Sequence, residues 1–489
     1  MSEGKRGYAL RLAAVAACGG FLFGFDSGVI NGTVNALESA FGASAIGTGM
    51  SVASMLLGCA LGAFFAGTLA DRFGRKPVML ATALVFGASA LGSGLSSSAL
   101  VFIGFRVFGG FGVGAASVIA PTYIAEISPP AIRGRLGSLQ QAAIVLGLFT
   151  AFLSNYALAA LSGGASAPFW LNLPTWRWMY WVELLPAAVF FLGALSVPES
   201  PRFLVGRGRE AEAQAIFTRL DPERAAGLVA EVRATLSQSG RATLGDLRIP
   251  GRLALHPVVW VGIVLGSLQQ LVGINVIFYY GAVLWQAAGF SESASLATNL
   301  LSGGVNIAGT IVAIVLIDRV GRKPLLLVGS AMMVAALGTV SGIFWNAEMA
   351  GTGVALTSSQ ATAALVAIHL YIIAFAATWG PVVWVLLGEI FPNRIRGVAM
   401  AVATLCHWLA NFAVTLTFPL LLAGVGLAAA YAGYAAFALL AFFFVKVFLK
   451  ETKLQSLEAA STGVSAPGAA HADAAPSRTL AESKPQHAS

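Results

Sequence analysis

The sequence predicts an all-α membrane protein with twelve transmembrane helices in two six-helix bundles and both termini on the cytoplasmic side. Apolar residues occupy 57% of the 489 positions and charged residues only 10%, with a mean hydropathy of +0.80. Soluble domains carry about 25% charged residues. The apolar residues recur in blocks of about twenty, the length of a helix that spans the hydrocarbon core. Charged motifs also repeat between the two halves of the chain.

Each apolar block is predicted to be one membrane-spanning helix. Twelve such blocks in a row exclude the buried core helices of a soluble protein. The strands of a membrane barrel are about half as long and alternate between polar and apolar residues, which these blocks do not. The predicted spans are 8–32, 46–70, 77–97, 99–126, 135–157, 176–197, 255–287, 294–317, 324–346, 360–388, 396–423 and 428–449. The three cysteines fall inside spans without metal-ligand spacing, so neither a metal nor another cofactor is expected.

The positions of the basic residues predict the orientation. Of the 29 Lys and Arg residues, all but Arg106 and Arg177 lie in the termini, at helix ends on one side, or in alternate connections. Positive residues are retained on the cytoplasmic side. Every crossing is therefore oriented consistently in a plasma membrane. The net charge of +8 is therefore explained by membrane orientation and indicates no nucleic-acid partner.

Internal repetition predicts the domain organisation. The segment Asp71-Arg-Phe-Gly-Arg-Lys-Pro77 returns as Asp318-Arg-Val-Gly-Arg-Lys-Pro324. Glu126 precedes Arg133 as Glu389 precedes Arg396, each by seven residues. The predicted parts are an N-terminal bundle (1–199), a cytoplasmic linker with short amphipathic helices (200–254), a C-terminal bundle (255–453) and a disordered cytoplasmic tail (454–489). Two related bundles are typical of alternating access to a midplane site.

Several motifs, in the right order, resemble the sugar porter family of the major facilitator superfamily. They are Gly19-Gly-Phe-Leu-Phe-Gly-Phe-Asp26, Pro121-Thr-Tyr-Ile-Ala-Glu126, Pro198-Glu-Ser-Pro-Arg202, Gln269-Gln-Leu-Val-Gly-Ile-Asn275 and Trp379-Gly-Pro-Val-Val-Trp384. The resemblance runs from about residue 19 to 453. It implies the major facilitator fold and proton-coupled symport of a monosaccharide, a hexose first and a pentose second. A functional monomer whose partners are the sugar, the proton and the lipid bilayer is expected.

Uncharged amide and indole groups are the candidates for holding a sugar. Amides both donate and accept hydrogen bonds, as a ring of hydroxyls requires, and indoles offer a flat apolar face with one N–H. By resemblance, the family's sugar ligands align with Gln141, Gln269, Gln270, Asn275, Asn306, Trp384 and Trp408. Amides in membrane helices also serve as interhelical hydrogen-bond glue. That reading stays open for one of the adjacent pair Gln269 and Gln270.

His407 departs from the family pattern. It precedes Trp408 in the eleventh predicted span, where many relatives carry an amide. A lone membrane histidine is more often a packing residue than a proton carrier. Its place beside Trp408 offers the alternative that it alters which sugar fits.

Asp26, Arg106 and Glu183 are the candidates for proton coupling. An ionised side chain at a helix centre costs about 2.5–3.5 kcal/mol on insertion scales, so Asp26 and Arg106 are expected to pair or to line a wet cavity. A static ion pair is one reading. The resemblance favours a proton switch, in which protonation of Asp26 in an outward-open state releases Arg106. Glu183 is a second buried acid and a candidate relay.

The repeated charged motifs are candidates for a cytoplasmic gate. Orientation alone would not require their acids, because acids contribute little to topology. We therefore expect salt bridges between the bundles, formed in the outward-open state and broken on inward opening. The residues are Asp71, Arg72, Arg75, Glu126, Arg133, Asp318, Arg319, Arg322, Glu389 and Arg396.

Two other functions share these features in part. A facilitative sugar uniporter would have the same architecture and sugar site, and a non-transporting sugar sensor is a less favoured alternative. An enzyme is not expected, because the sequence lacks phosphate-loop, zinc-protease and nucleophile-elbow motifs.

Overall fold

The computed structural model describes residues 3–129, 132–238, 243–249, 254–350, 353–392 and 394–453. Within them, twelve helices are long and apolar enough to cross a membrane, which confirms the predicted number of spans. The spans are Arg6–Gly32, Ala45–Phe73, Arg75–Leu95, Ala99–Ile127, Gly134–Ser162, Thr175–Ser196, Pro257–Ala287, Glu292–Ile317, Arg322–Trp345, Ser358–Ile390, Arg396–Gly424 and Gly426–Phe448. The predicted tail lies outside the described residues.

Nineteen α-helices form these spans and their connections among the described residues. They are α1 (Glu3–Val29), α2 (Val34–Phe41), α3 (Ala45–Phe73), α4 (Arg75–Leu95), α5 (Ala99–Ile127), α6 (Arg133–Ser162), α7 (Thr175–Trp181), α8 (Leu184–Ser196), α9 (Pro201–Gly206), α10 (Glu210–Leu220), α11 (Ala225–Gln238), α12 (Pro257–Leu271), α13 (Ile274–Ala287), α14 (Glu292–Val320), α15 (Arg322–Trp345), α16 (Ser358–Ala377), α17 (Trp379–Ile390), α18 (Arg396–Gly424) and α19 (Gly426–Phe448). Short 3-10 helices cover Ile30–Gly32, Trp170–Asn172 and Leu244–Leu247.

Two short strands, β1 (Glu348–Ala350) and β2 (Gly353–Ala355), pair antiparallel between the ninth and tenth spans. The spans have two kinds of end. The end that carries the repeated charged motifs is called the charged end below. The opposite end, which the charge pattern places outside the cell, is called the outer end.

Close helix packing sets the shape of each half. In the N-terminal half α1 packs on α6 and α3 on α5; in the C-terminal half α15 packs on α19 and α12 on α18. The halves meet where α3 faces α18 and α6 faces α14. On α1, a Cβ at Gly24 would lie 1.9 Å from the carbonyl oxygen of Ile144. Only glycine permits this backbone contact, as is typical of small-residue interfaces in membranes.

Three spans are broken near their middle, and each break has a local cause. Pro186 follows the break between α7 and α8, and Pro381 follows the break between α16 and α17. A proline lacks the N–H for a helical hydrogen bond and collides with the carbonyl four residues earlier. Between α12 and α13, Gly273 adopts φ +85°, and a Cβ there would lie 2.6 Å from the Tyr434 ring. Broken helices are typical of transporter midplanes.

Candidate functional site

A buried charged cluster lies in the N-terminal half. The Nη1 of Arg106 on α5 donates to Oδ1 of Asp26 on α1, and both side chains are almost fully buried. Its Nη2 contacts the Asp26 carbonyl oxygen at 3.3 Å and the Met55 sulfur at 3.0 Å. The guanidinium carbon also lies 5.7 Å from the centre of the Tyr180 ring. Groups on α1, on α3 and on the broken sixth span therefore hold Arg106.

Glu183 completes the charged cluster. It stands at the break between α7 and α8, is 1% exposed, and interacts electrostatically with Asp26 and Arg106. Among the described residues, neither Glu183 oxygen has a hydrogen-bond partner, and Oδ2 of Asp26 has none either. One guanidinium can balance one carboxylate, and a second buried carboxylate would be uncompensated. Burying an uncompensated charge is costly, and this cluster holds one more carboxyl group than its single guanidinium can balance.

A second, uncharged cluster lies in the C-terminal half around the broken seventh span. The amide nitrogen of Gln270 lies 3.3 Å from Nδ1 and 3.2 Å from Nε2 of His407, and its oxygen accepts from Asn275 at 2.5 Å. An amide nitrogen only donates. Whichever His407 ring nitrogen takes part in this hydrogen bond is therefore its acceptor.

The His407 ring separates two indoles. Its centre is 4.9 Å from Trp384 and 5.2 Å from Trp408, and both contacts are edge-to-face. Trp408 also contacts Phe23 of α1 at 5.6 Å, so the uncharged cluster borders the N-terminal half. The indole N–H of Trp408 is buried and has no partner among the described residues.

Gln269 faces a different neighbour from Gln270. Its amide nitrogen donates to the carbonyls of Trp379 at 2.8 Å and Gly380 at 3.0 Å, which ties α12 to the start of α17. Its buried oxygen has no partner in the described part of the chain. Both members of the pair thus bridge helices, and Gln269 keeps one acceptor free.

The remaining amide candidates are more peripheral to this cluster. Asn306 on α14 is buried, and Gln141 on α6 is half-buried. The structure describes no hydrogen bond from either residue to the cluster around His407. The neighbouring Gln140, which the sequence analysis passed over, is 7% exposed and lies against Gly20 of α1.

The two halves are joined at their outer ends. Asn31 donates to the Phe278 carbonyl at 2.8 Å, and its oxygen accepts from the Ala282 N–H at 3.1 Å and from Asn299 at 2.6 Å. Asn35 donates to Gln286, and the Ala165 N–H donates to Glu292. A cavity of about 50 Å³ remains between these residues. Small-molecule pockets are roughly 300–1,000 Å³, so this cavity is too small to hold a sugar.

At the charged end, the described ion pairs of the gate candidates lie within each half. Arg75 binds Glu126 through two hydrogen bonds of 3.1 and 3.0 Å and contacts Asp71 at 3.1 Å. Arg322 donates to Glu389 at 2.8 Å in the same way. These are the predicted gate residues, paired inside a bundle rather than between bundles. Pairs between bundles stay a prediction for the opposite, outward-open state.

The other gate candidates have no ion pair among the described contacts. The Arg72 guanidinium lies over the Phe73 ring, and the Arg319 carbonyl accepts from Lys453 at 2.6 Å. Arg396 donates to the Phe391 carbonyl at 3.1 Å. The side chains of Arg133 and Asp318 lie outside the described part of the structure.

Four residues at the charged end were missed from the sequence. Glu199 accepts from the backbone N–H of Arg75 at 2.8 Å, and Glu451 accepts from that of Arg322 at 3.0 Å. Ser200 and Thr452 donate to Glu126 and Glu389 at 2.5 and 2.6 Å. Each acid thus caps a helix N-terminus, where negative charge is favoured. A Glu followed by Ser or Thr after the sixth and twelfth spans was the available signal.

Comparison with known proteins shows the family to which the chain belongs. A sequence model of the family described as "Sugar (and other) transporter" matches residues 12–463. The chain belongs to the sugar transporter family. It is 49% identical over 452 residues to a glucose transport protein of Synechocystis, covering 92% of this chain and 96% of that protein. It is 37% identical to the D-xylose-proton symporter of Escherichia coli K12, covering 92% and 94%.

Solved structures of the sugar transporter family match the fold. The proton:xylose symporter bound to 6-bromo-6-deoxy-D-glucose has a TM-score of 0.77 at 35% identity, with 94% of this chain and 99% of that chain covered. An inward-open xylose transporter from Escherichia coli has a TM-score of 0.79 at 34% identity, with 93% and 99% covered. The chain is thus a multi-pass inner-membrane protein of the major facilitator fold and not an enzyme.

Proposed function

We propose that this chain is a symporter that carries a monosaccharide together with a proton by alternating access, acting as a monomer. The observation that carries the proton part is the buried cluster of one guanidinium and two carboxyl groups. The sugar part rests on the amides and indoles around the broken seventh and tenth spans. The relatives named as D-xylose-proton and arabinose-proton symporters support the same function.

The charged cluster supports a proton switch. With Asp26 ionised, Arg106 is held by its carboxylate, its carbonyl and the Met55 sulfur. A proton on Asp26 removes the charge–charge attraction and frees Arg106 to leave. Because a carboxyl in apolar surroundings favours its neutral form, the separated arrangement retains that proton. Glu183, a second buried acid at the break between α7 and α8, is the proposed relay for that proton.

The uncharged cluster suits a polyhydroxylated substrate that must also be released. Among the described residues the Gln269 oxygen and the Trp408 N–H have no partner, while Trp384 and Trp408 supply apolar faces. Several moderate hydrogen bonds allow binding without one strong anchor. A hexose is the first candidate, supported by the glucose transport protein among the relatives, and a pentose is the second.

The proposed coupling is energetically sufficient. One charge crossing 100 mV is worth about 2.3 kcal/mol, and a tenfold sugar gradient costs about 1.4 kcal/mol. One proton per sugar therefore sustains a gradient of tens-fold. In this proposal the basic residues orient the chain in the membrane, and no nucleic-acid partner is included.

Proteoliposomes test the proposal directly. Adding sugar to vesicles without a preset gradient should alkalinise the external medium as protons enter with it. A counterflow panel of hexoses, pentoses and cyclitols identifies the substrate. Sugar counterflow without proton movement would instead establish a facilitative uniporter. Binding without any counterflow would indicate a sensor.

The variant Asp26→Asn tests the proton switch. It should abolish sugar accumulation driven by an imposed pH gradient while sparing counterflow, because exchange needs no net proton movement. The matched control is Asn411→Asp, which introduces a carboxyl at a buried position of the C-terminal half. It should not restore proton-driven accumulation to the Asp26→Asn chain. Accumulation by Asp26→Asn at the unaltered level would show that Asp26 is not the proton site.

A further inference from the structure

We propose that Tyr180 is a positioning residue that links the Asp26–Arg106 pair to the outer contacts between the two halves. Its ring contacts the Arg106 guanidinium. Its hydroxyl bonds Thr33, which follows the turn that contacts the C-terminal half. The proposal rests on the proposed function, because it names the route by which the proton site would bias the outer gate.

The ring of Tyr180 lies against the guanidinium of Arg106. The ring centre is 5.7 Å from the guanidinium carbon, and Tyr180 is 0% exposed. A cation over an aromatic face is attracted by the ring quadrupole. Phe102 and Trp176 pack edge-on against the same ring at 5.5 and 6.4 Å. A shift of Arg106 therefore changes the contacts of a ring that is enclosed on its other sides.

The hydroxyl of Tyr180 is bonded to Thr33, which lies between the 3-10 turn Ile30–Gly32 and α2. It lies 3.0 Å from Oγ1 of Thr33, and Thr33 Oγ1 also lies 3.0 Å from the Ile30 carbonyl oxygen. A threonine hydroxyl has one proton, and the carbonyl can only accept it. Tyr180 must then be the donor in its bond to Thr33. The bond is directional, and neither residue is exposed to solvent that could replace it.

Thr33 adjoins the outer contact between the halves. The 3-10 turn Ile30–Gly32 immediately precedes it, and Asn31 in that turn bonds the Phe278 carbonyl, the Ala282 N–H and Asn299. These three partners belong to the seventh and eighth spans. The chain of contacts thus runs from Arg106 through Tyr180 and Thr33 to the turn that carries Asn31.

A chain of contacts becomes a coupling route only if a perturbation at one end is felt at the other. The outer end is followed through Ala282→Cys, since Ala282 is 4% exposed and borders the cavity between the halves. The measured quantity is its rate of reaction with a membrane-impermeant maleimide in intact cells. The rate of the chain with only its native cysteines is subtracted.

The decisive experiment is a double-mutant cycle of Asp26→Asn and Tyr180→Phe in this labelled chain. Asp26→Asn alone should change the labelling rate by about tenfold, in the range expected for loss of a buried charged hydrogen bond. With Tyr180→Phe present, the same substitution should change the rate by less than about twofold, because the hydroxyl link is missing. Thr33→Val should weaken the Asp26→Asn effect as Tyr180→Phe does.

Two results would overturn the proposal. One is an Asp26→Asn effect that keeps its full size in the Tyr180→Phe chain. The other is a labelling rate that Asp26→Asn leaves unchanged in the first place. Tyr123→Phe is the matched control, since it removes a tyrosine hydroxyl bonded to the Pro198 carbonyl at 2.8 Å in the same half. It should leave the Asp26→Asn effect intact.

Counterflow and proton-driven accumulation separate this proposal from the proposed function. Counterflow by Tyr180→Phe shows that the variant folds and binds sugar. If the unaltered chain fails to accumulate sugar against a pH gradient, proton symport is wrong, whatever the labelling cycle gives. If it accumulates sugar and the cycle is additive, symport stands and the role of Tyr180 is wrong.

Discussion

In the N-terminal half, the buried groups at mid-span are charged: Asp26, Arg106 and Glu183. In the C-terminal half, the buried polar groups around the broken seventh span are amides, indoles and an imidazole. At the charged end, by contrast, the halves match contact by contact, from Arg75–Glu126 to Arg322–Glu389. What both bundles need, a fixed connection between neighbouring spans, is duplicated. The buried polar groups at mid-span, by contrast, differ between the halves.

This comparison separates two kinds of polar burial. A charged network must stay balanced, since removing one partner leaves an uncompensated charge in a region without water. A network of amides loses only individual hydrogen bonds when one member is removed. The N-terminal cluster is therefore suited to a two-state switch, and the C-terminal cluster to graded recognition. The following variants test that distinction.

The largest effect on stability is expected from Arg106→Gln. It leaves Asp26 and Glu183 without a cation, and breaking a buried pair costs about 3–5 kcal/mol. The neutral counterpart, Gln270→Ala, should cost about 1–3 kcal/mol. Both are measured by thermal unfolding of the detergent-solubilised protein. Adding Asp26→Asn to Arg106→Gln should recover most of the loss. Equal losses for Arg106→Gln and Gln270→Ala would remove the distinction between the halves.

The duplicated charged end predicts a matched pair of effects. Arg75→Ala and Arg322→Ala should each lower the free energy of unfolding by about 1.5–3 kcal/mol, the range for hydrogen bonds to charged groups. The Arg75 effect should be the larger, since the Arg75 and Glu126 side chains are each 9% exposed, against 12% for Arg322 and 19% for Glu389. Thermal unfolding of the two variants under identical conditions measures this. A large loss in only one of them would show that the duplicated contacts do different work.

A smaller effect, confined to the substrate, is expected from Trp408→Phe. An aromatic ring is kept, although a smaller one, and the lost N–H has no partner among the described residues, so the loss of stability should be smaller than for Arg106→Gln. Loss of one hydrogen bond to the sugar should raise the KM for transport about 3- to 10-fold. The number of protons per sugar should stay the same. Trp345→Phe, at a position 76% exposed at the outer end of α15, is the control. A changed proton stoichiometry would mean that recognition and coupling are not divided between halves.

The sequence predicted the twelve spans because apolar length alone determines them. From the cost of burying a charge it also predicted that Asp26 and Arg106 would pair or line a wet cavity, and the structure has them in contact. Position along the chain does not reveal a side chain's direction, however. Gln269 and Gln270 were therefore left as alternatives, and the structure has both bridging helices to different partners.

The residues that were missed share one property: each acts through a contact with the backbone or across the bundle. Tyr180 was overlooked because a tyrosine in an apolar span looks like packing. Gln140 was passed over beside Gln141, although it recurs at a spacing of four with Ile144 and Leu148, which contact the α1 glycines. That spacing was the available signal. No pattern in the chain revealed the contact of Asn31 with the seventh and eighth spans.

The smallest predicted effect concerns the linker, which is bonded to both halves at the charged end. Arg207 donates to the Arg72 carbonyl at 2.5 Å, and Asp246 accepts from Arg394 at 2.7 Å. The Thr243 N–H and hydroxyl, with Arg394, lower the pKa of Asp246. Because the pKa of Asp246 is lowered in the folded state, the ionised carboxylate stabilises the fold above the ordinary carboxyl pKa. That stabilisation is lost as the pH falls through the lowered pKa.

Asp246→Asn should therefore speed hydrogen exchange of the 243–249 amides slightly at pH 7. The difference from the unaltered chain should persist down to the ordinary pKa of an aspartate, about 4, and shrink as the pH falls further. Arg207→Ala, whose contact at the N-terminal half involves no titrating acid, should give a difference that does not depend on pH. Exchange rates are corrected for their intrinsic pH dependence in both cases. The same pH response in both variants would mean that the linker is held to the two halves by the same kind of contact.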